Sequence, residues 1–399
     1  MNVARRNPPE LIECTVARPQ SVRISGYAIP VAIFLASRLV VFLAIVFAAR
    51  LIPPGNLPGA WNAGDTFWRN LLRWDSGWYL AIMRGGYHYV PDSSVQQSVA
   101  FFPLYPALSW CVAKIFQVRF STASLIVSNT ASIAAVVLLY RYVREHYGAR
   151  IANGAVALLS FFPASIFLSA GYTESLAMAL TMAAFIDLEG GRHLRAALWC
   201  GLLTATRPTG IVMLAPLAYC MWPRPRWTLA AATRLLLGLG IAISGLAAFC
   251  TYLGLRFGAP LACVTSQSGW NNGAHWSLKA GLYAFAALAQ LFRGIPLPST
   301  LDPWVFVAFA AVIIAMRSEL SVPELLMAGA SFAFLAVTWL CAGHAFLAMS
   351  RYMIVLFPAY IAGAKLLDKR PWLMAGLCVW MAMGLSWYAA LFAQWHWVD

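Results

Sequence analysis

Charged side chains are scarce in this 399-residue chain, where they make up 11% of the residues against 61% that are hydrophobic. So little charge excludes an ordinary soluble globular domain. Apolar runs of roughly 20 residues, the length that crosses a bilayer as a helix, recur from Gly26 almost to the last residue. The sequence therefore predicts an all-α polytopic membrane protein.

Acidic residues are the rarer charge, 14 against 28 lysines and arginines, which leaves a net charge of +14. A basic balance of that size can indicate nucleic acid as a partner. Here, however, the basic residues lie in short loops between apolar runs, where they report orientation through the positive-inside rule. The lipid bilayer is the predicted partner, and no nucleic acid is expected.

The eight cysteines follow no recognisable spacing. Most of them lie inside apolar runs, with no C-x-x-C pair and no Cys/His cluster. Zinc sites and disulfide frameworks need such spacings. We therefore expect no metal site and no disulfide framework.

The chain divides into a short tail and one membrane domain. Residues 1–25 carry four arginines and lack a small-residue cleavage site, so they are expected to remain as an uncleaved cytoplasmic tail. Residues 26–399 are expected to form a single transmembrane domain, with 52–100 as its external loop. The clear spans are predicted at 26–51, 122–140, 151–169, 172–188, 229–253, 303–316, 323–341, 351–367 and 372–393.

Three further segments are too short or too interrupted for simple spans. They are 101–118, 280–293 and 194–221, the last broken at Arg207-Pro208-Thr209-Gly210. If these segments are re-entrant, the basic loops share the cytoplasmic side, as the charge bias requires. The loops 52–100, 170–173, 254–280 and 342–351 then face the exterior. The expected fold is a bundle of about ten or more transmembrane helices with re-entrant segments.

Asp75 is the first candidate for chemistry. It lies in an aromatic-rich stretch from Thr66 to Met83 that is predicted to form one helix in the membrane interface. A carboxylate at this depth can accept a proton from a hydroxyl. The alternative is a surface ion pair with Arg73 or Arg84, which would contribute only about 0 to 1 kcal/mol. The neighbouring Trp74, Trp78 and Tyr79 favour the functional interpretation.

Two other carboxylates are candidates of different strength. Asp65 follows the turn-like Asn62-Ala63-Gly64, where a capping role is common. Glu174 lies at the external mouth of a hydrophobic span, where ionisable residues usually face a cavity or a partner. A helix N-terminal carboxylate explains Glu174 equally well.

Two arginines are candidates for binding an anion. Arg207 coincides with the helix break at Pro208, so freed backbone donors and a guanidinium favour a phosphate site over snorkelling to the interface. Arg351, next to Tyr352 and near His344, opens a helix where a cation is unfavourable, so an anionic partner is expected.

The loop 265–276 is rich in amides and tryptophan and includes Gln267 and Trp270. Aromatic faces and amides are what bind sugars, so a carbohydrate ligand is one interpretation. Interfacial belt residues are the other.

In this order, these motifs resemble the PIG-V family of mannosyltransferases, within the GT-C superfamily of polytopic glycosyltransferases. The resemblance rests on Arg73-Trp74-Asp75 with Trp78-Tyr79 and Gly86-Tyr87, Phe101 to Pro106, Ser128-Asn129, Phe162 to Phe167 running into Tyr172-Thr173-Glu174-Ser175, Ala205 to Gly210, Gln267 with Trp270, and Ser350-Arg351-Tyr352 with Phe357-Pro358.

The resemblance implies a hexose, most simply mannose, that is transferred with inversion from a polyprenyl-phosphate donor to a glycan or lipid on the non-cytoplasmic face. It implies Asp75 as general base, Arg207 and Arg351 as ligands of the lipid phosphate, and Glu174 and Gln267 as groups that orient acceptor or sugar. Arg73, Trp74, Trp78, Tyr79, Trp270, His344 and Tyr352 would line the substrate site. No cofactor is expected, and the expected location is a bacterial inner membrane with the site facing outward.

Without the resemblance, a transporter or flippase of lipid-linked sugars is the rival class. Transporters often have paired inverted halves with broken helices, whereas this sequence has one clear break and no symmetric second one. A structural membrane subunit is a third class, but it gives no reason for the candidate charges to converge.

Overall fold

The computed structural model describes residues 24–55, 67–223, 227–270, 301–342 and 348–398, and every regular element within these ranges is a helix. The α-helices are α1 (Ala28–Leu51), α2 (Ser76–Gly85), α3 (Leu104–Phe116), α4 (Phe120–Tyr147), α5 (Ala149–Phe161), α6 (Glu174–Glu189), α7 (His193–Thr204), α8 (Leu214–Met221), α9 (Leu229–Phe257), α10 (Ala262–Thr265), α11 (Leu301–Ala315), α12 (Val322–Ala342), α13 (Met349–Met353), α14 (Phe357–Leu367) and α15 (Pro371–Ala393).

Among the helices of the described ranges, four are long and apolar enough to cross a membrane: α1, α4, α9 and α15. Shorter apolar helices of 10 to 17 residues lie among the others, such as α3 and α5. The predicted all-α membrane fold is therefore confirmed. The number of spans and the re-entrant course of the short segments stay predictions. The tail before residue 24, the segment 280–293, Asp65 and His344 lie outside the described residues.

The core is built on α4, α5 and α6, which pack together with α14 and α15. Its largest buried side chains are aromatic, and Phe185 of α6 meets Phe357 of α14 with ring centroids 4.7 Å apart. Tyr105 near the start of α3 bonds Ser128 of α4 at 2.9 Å, and Ser128 in turn donates to the carbonyl of Tyr172 at 3.1 Å. The hydrogen bond from Ser128 of α4 therefore holds the backbone just before α6 in place.

Breaks in the helices coincide with prolines, which lack an N–H donor and clash with the preceding turn. The predicted break after Arg207 is confirmed, because a 3₁₀ helix over Pro208–Met213 separates α7 from α8. The helices within the predicted spans 151–169 and 351–367 are each interrupted. A 3₁₀ helix over Pro163–Leu168 follows α5, and a gap at 354–356 separates α13 from α14.

The predicted interfacial helix from Thr66 to Met83 is also interrupted. A 3₁₀ helix covers Phe67–Leu71, and α2 begins only at Ser76. Trp74 lies between them in the left-handed region with φ +49°, which a bulky L-residue rarely adopts. The chain therefore turns sharply just before α2 and places Asp75 at the helix start.

Arg38 of α1 holds the break that follows α5. Its guanidinium donates to the carbonyls of Ser160 at 2.9 Å and Ser165 at 2.7 Å, and to the hydroxyls of Ser165 and Ser169. Carbonyls freed by a helix break must find a partner inside a membrane protein. Arg38 supplies that partner, so an intramembrane cation here serves the backbone.

We expect Arg38→Leu to lower the free energy of unfolding by about 2 to 3 kcal/mol, because it leaves these buried carbonyls without a donor. Thermal unfolding of the detergent-solubilised protein measures this change. Arg50→Leu, at the exposed end of the same helix, is the matched control and should change stability little. Equal effects of the two substitutions would contradict the role of Arg38.

Candidate active site

Four charged side chains that are distant in the sequence meet in one network. Arg351 Nη1 lies 2.5 Å from Asp75 Oδ2, and Arg351 Nε bonds Glu174 Oε1. Arg207 Nη1 lies 2.9 Å from the same Glu174 oxygen. We call these residues the four-charge network. Arg351 bridges the two carboxylates, and Glu174 bridges the two guanidinium groups.

The network is secluded from solvent. The exposed fraction of the side chain is 0% for Glu174, 6% for Arg207, and 13% for both Asp75 and Arg351. Buried charges are costly unless they are paired. The two positive and two negative charges cancel, which makes the cluster tolerable inside the protein.

Two polar groups of the network are not used up by it. Arg207 Nη1 is close to Glu174 but is not aligned for a hydrogen bond, and it has no hydrogen-bond partner among the described residues. Asp75 forms its ion pair through Oδ2, and its Oδ1 has no partner among the described residues, so Oδ1 can accept a proton. A buried donor without a hydrogen-bond partner is uncommon, so Arg207 Nη1 is a candidate contact for a bound anion.

Aromatic rings lie against the guanidinium groups of Arg351 and Arg207. Arg351 lies over the rings of Tyr172 at 4.6 Å and Phe167 at 5.4 Å, and Arg207 lies over Tyr352 at 5.2 Å. The Tyr172 hydroxyl also accepts from the backbone N–H of Asp75 at 3.2 Å. Tyr172 thus positions both partners of the Arg351 to Asp75 ion pair.

Arg73 lies outside the network, although it is only two residues from Asp75. Its guanidinium donates to the carbonyl of Ala393 at 3.2 Å and to Asn70 at 2.5 Å, and it stacks over Trp395 at 4.6 Å. Trp74 packs edge to face against Trp395 and Trp397. These contacts fasten the turn before α2 to the end of α15, so Arg73 and Trp74 hold Asp75 in place through the backbone.

An aromatic ledge flanks the network. Trp78 stacks on Phe101 with ring centroids 5.7 Å apart and planes at 16°, and Trp270 meets both rings edge-on. Gln267 donates to the carbonyl of Ala100 at 3.3 Å, which ties the Trp270 segment to this ledge. Tyr79 is buried between Phe101 and Tyr105, and this burial raises the pKa of its hydroxyl, so Tyr79 stays neutral.

An apolar cavity adjoins the network on the side of Arg207. Thr209, Gly210 and Met213 line it from the 3₁₀ helix after Arg207, and Met327, Leu335 and Tyr352 line it from α12 and α13. The helix break at Pro208 therefore contributes both a guanidinium and a wall of this cavity.

Most of the predicted site residues come together, in two groups. Asp75, Glu174, Arg207 and Arg351 form the network, and Tyr352 lies against it through Arg207. Trp78, Tyr79, Gln267 and Trp270 form or adjoin the ledge. The alternative interpretation of Asp75, a surface ion pair with Arg73 or Arg84, is wrong, because Asp75 pairs with Arg351.

Phe167 and Tyr172 were not predicted as site residues, although both lie in the sequence motifs around Glu174. Within the described ranges, no group of three or more His, Cys, Asp or Glu side chains could hold a metal ion.

The fold resembles that of a solved membrane-protein structure bound to a lipid phosphate. The crystal structure of ArnT from Cupriavidus metallidurans bound to undecaprenyl phosphate matches 90% of this chain and 64% of ArnT, with a TM-score of 0.53 and 14% sequence identity. At that identity the likeness shows the fold alone. The fold is that of the GT-C class of membrane glycosyltransferases, as expected.

The family follows from the sequence. Residues 36–259 match the family model described as Mannosyltransferase (PIG-V), so the chain belongs to the PIG-V mannosyltransferase family. The GPI alpha-1,6-mannosyltransferase 2 of Cricetulus griseus is 32% identical over 152 residues, which cover 36% of this chain and 30% of the relative. The same enzyme of Rattus norvegicus is 28% identical over 173 residues, 41% and 33% of the two chains. The matched segment spans about a third of these curated relatives.

We expect Glu174→Gln to lower the free energy of unfolding by about 3 kcal/mol, because the buried Arg207 then has no carboxylate partner among the described residues and Arg351 keeps only Asp75. Calorimetry in detergent measures the change. Glu319→Gln removes an exposed carboxylate 3.0 Å from Lys365 and should cost about 0 to 1 kcal/mol. If Glu174→Gln were as mild as this control, the network would not contribute to stability.

Proposed function

We propose that this chain transfers a hexose, most simply mannose, from a polyprenyl-phosphate donor to an acceptor hydroxyl, with inversion at the anomeric carbon. The observation that carries the proposal is the four-charge network, which combines a carboxylate with a free oxygen and an arginine with an unused donor. The reaction takes place on the non-cytoplasmic face of a bacterial inner membrane, and a glycan or glycolipid is the acceptor.

In this reaction Asp75 is the general base. Its Oδ1 takes the proton of the acceptor hydroxyl while the acceptor oxygen bonds to the anomeric carbon on the face opposite the phosphate. The bond between that carbon and the phosphate oxygen breaks, and its electron pair leaves with the polyprenyl phosphate. The products are the glycosylated acceptor, the lipid phosphate and a protonated Asp75.

The phosphate lies against Arg207 and Arg351. A guanidinium is a suitable ligand for a phosphate because its planar donors fit two oxygens at once. Arg207 Nη1 has no hydrogen-bond partner among the described residues, so it is the first contact we assign to the phosphate. The adjoining apolar cavity suits the isoprenoid carbons next to the phosphate.

The aromatic ledge of Trp78, Phe101 and Trp270 takes the sugar or the acceptor glycan. Indole and phenyl faces bind the C–H surfaces of sugars, and the ledge begins three residues after Asp75. Gln267 keeps Trp270 at this ledge through its bond to Ala100. The role of Gln267 in the reaction is therefore to position Trp270 in the aromatic ledge that takes the sugar.

Asp75→Asn is expected to lower the transfer rate by about 100-fold or more, because the amide cannot accept the proton. The assay supplies radiolabelled polyprenyl-phosphate mannose to reconstituted protein and follows labelled product. Asp92→Asn is the matched control, since Asp92 is an exposed carboxylate in the same external loop and should be dispensable. A rate in Asp75→Asn within twofold of the unmodified protein would remove Asp75 as the base.

The phosphate assignment predicts a graded loss of affinity. Arg207→Ala should weaken binding of a polyprenyl phosphate by about ten- to hundredfold, and Arg207→Lys less, because the charge remains while the two-pronged geometry is lost.

Titration of the detergent-solubilised protein with the lipid measures this affinity. Arg195→Ala provides the control, because Arg195 binds Asp187 at the other end of α6. Equal affinity of the unmodified protein and all these variants would contradict the phosphate site.

The assay with reconstituted protein also tests the rival class. If labelled donor crosses the bilayer and no labelled product forms, the result would favour a flippase.

A further inference from the structure

The short helix α13 carries two residues of the site but has little to hold itself together. It has five residues, from Met349 to Met353, and an isolated helix of this length is unstable in itself. Ala348, just before it, is in the left-handed region with φ +55°. Something outside α13 must therefore fix its position.

Asp302 of α11 supplies that fixation. Its Oδ2 accepts from the backbone N–H of Met349 at 2.8 Å, and its Oδ1 accepts from the backbone N–H of Ser350 at 2.7 Å and from the Ser350 hydroxyl. Asp302 is 1% exposed and forms no ion pair among the described residues. Both oxygens of its carboxylate therefore bond to the first two residues of α13.

The next two residues of α13, after Met349 and Ser350, are Arg351 and Tyr352. Arg351 bonds Asp75 and Glu174, and Tyr352 carries Arg207 on its ring. A shift of α13 would therefore displace both ion pairs of Arg351 and the ring that lies against Arg207.

We propose that Asp302 is a positioning residue for Arg351 and, through it, for the catalytic carboxylate. This inference rests on the proposed glycosyl transfer and adds a residue that touches neither donor nor acceptor. Asp302 fixes the register of α13, so that Nε and Nη1 of Arg351 reach two different carboxylates. Loss of this register lowers turnover more than donor affinity, because Arg207 keeps its ion pair with Glu174 of α6 and remains a ligand of the phosphate.

The test is a double-substitution cycle that combines Asp302→Asn with Arg351→Lys. The asparagine keeps one acceptor and loses the other, so we expect kcat to fall on the order of tenfold, with KM within about twofold of the unmodified protein. In the Arg351→Lys background, Asp302→Asn should lower kcat by less than about twofold further. Independent effects that multiply would overturn the proposal.

Glu324→Gln is the matched control. Glu324 is also a buried carboxylate with hydrogen-bonded partners, Tyr142, Tyr147 and Ser321, and none of its hydrogen bonds within the described ranges reaches a residue of the network. A general loss of packing should act alike in both backgrounds. Glu324→Gln should therefore lower kcat by the same factor in the protein that has Arg351 and in the Arg351→Lys variant. Ser350→Ala, which removes only the hydroxyl contact to Asp302, serves if Asp302→Asn does not fold and should show the same dependence on Arg351.

The same cycle is measured without substrate, through unfolding midpoints in detergent. The shifts caused by Asp302→Asn and Arg351→Lys should fall short of their sum in the double variant, and additive shifts would overturn the role of Asp302. Absence of transfer by the unmodified protein would contradict the proposed function, and the unfolding cycle would still decide the Asp302 assignment.

Discussion

The two ion pairs of Arg351 are the interaction on which the site depends. They join Asp75 at the start of α2 to Glu174 at the start of α6, and Glu174 passes the link to Arg207 after α7. The buried charges have few acceptable arrangements, so they select one relative position for the helices.

Irregular backbone is what brings these charges together. Asp75 follows the left-handed Trp74, Glu174 follows the 3₁₀ break after α5, Arg207 precedes Pro208, and Arg351 lies in a helix of five residues. Inside a membrane domain such breaks persist only where other groups satisfy the freed backbone. Arg38 and Asp302 do so for two of them, which explains why charged residues far from the site are needed to shape it.

The sequence was sufficient to select the charges but not their partners. Asp75, Glu174, Arg207 and Arg351 were each identified because an ionisable group in an apolar chain needs a reason. Arg73 met the same criterion, yet it binds the carbonyl of Ala393, 320 residues away, and such a contact leaves no trace in local pattern. Hydropathy likewise merged α5 with the break after it, because apolar periodicity reports burial and not backbone geometry.

The neutrality of the network makes the proposed reaction a redistribution of charge. Before transfer, Arg351 is held by two carboxylates and the donor phosphate has one negative charge. As Asp75 takes the acceptor proton, its attraction for Arg351 disappears at the moment when the departing phosphate gains a second negative charge. The guanidinium then has a stronger partner in the leaving group than in the base it leaves. In this mechanism the total charge of the site with its substrates stays constant, because the proton remains on Asp75, so one arginine serves first the base and then the leaving group without any net charge entering a poorly solvated region.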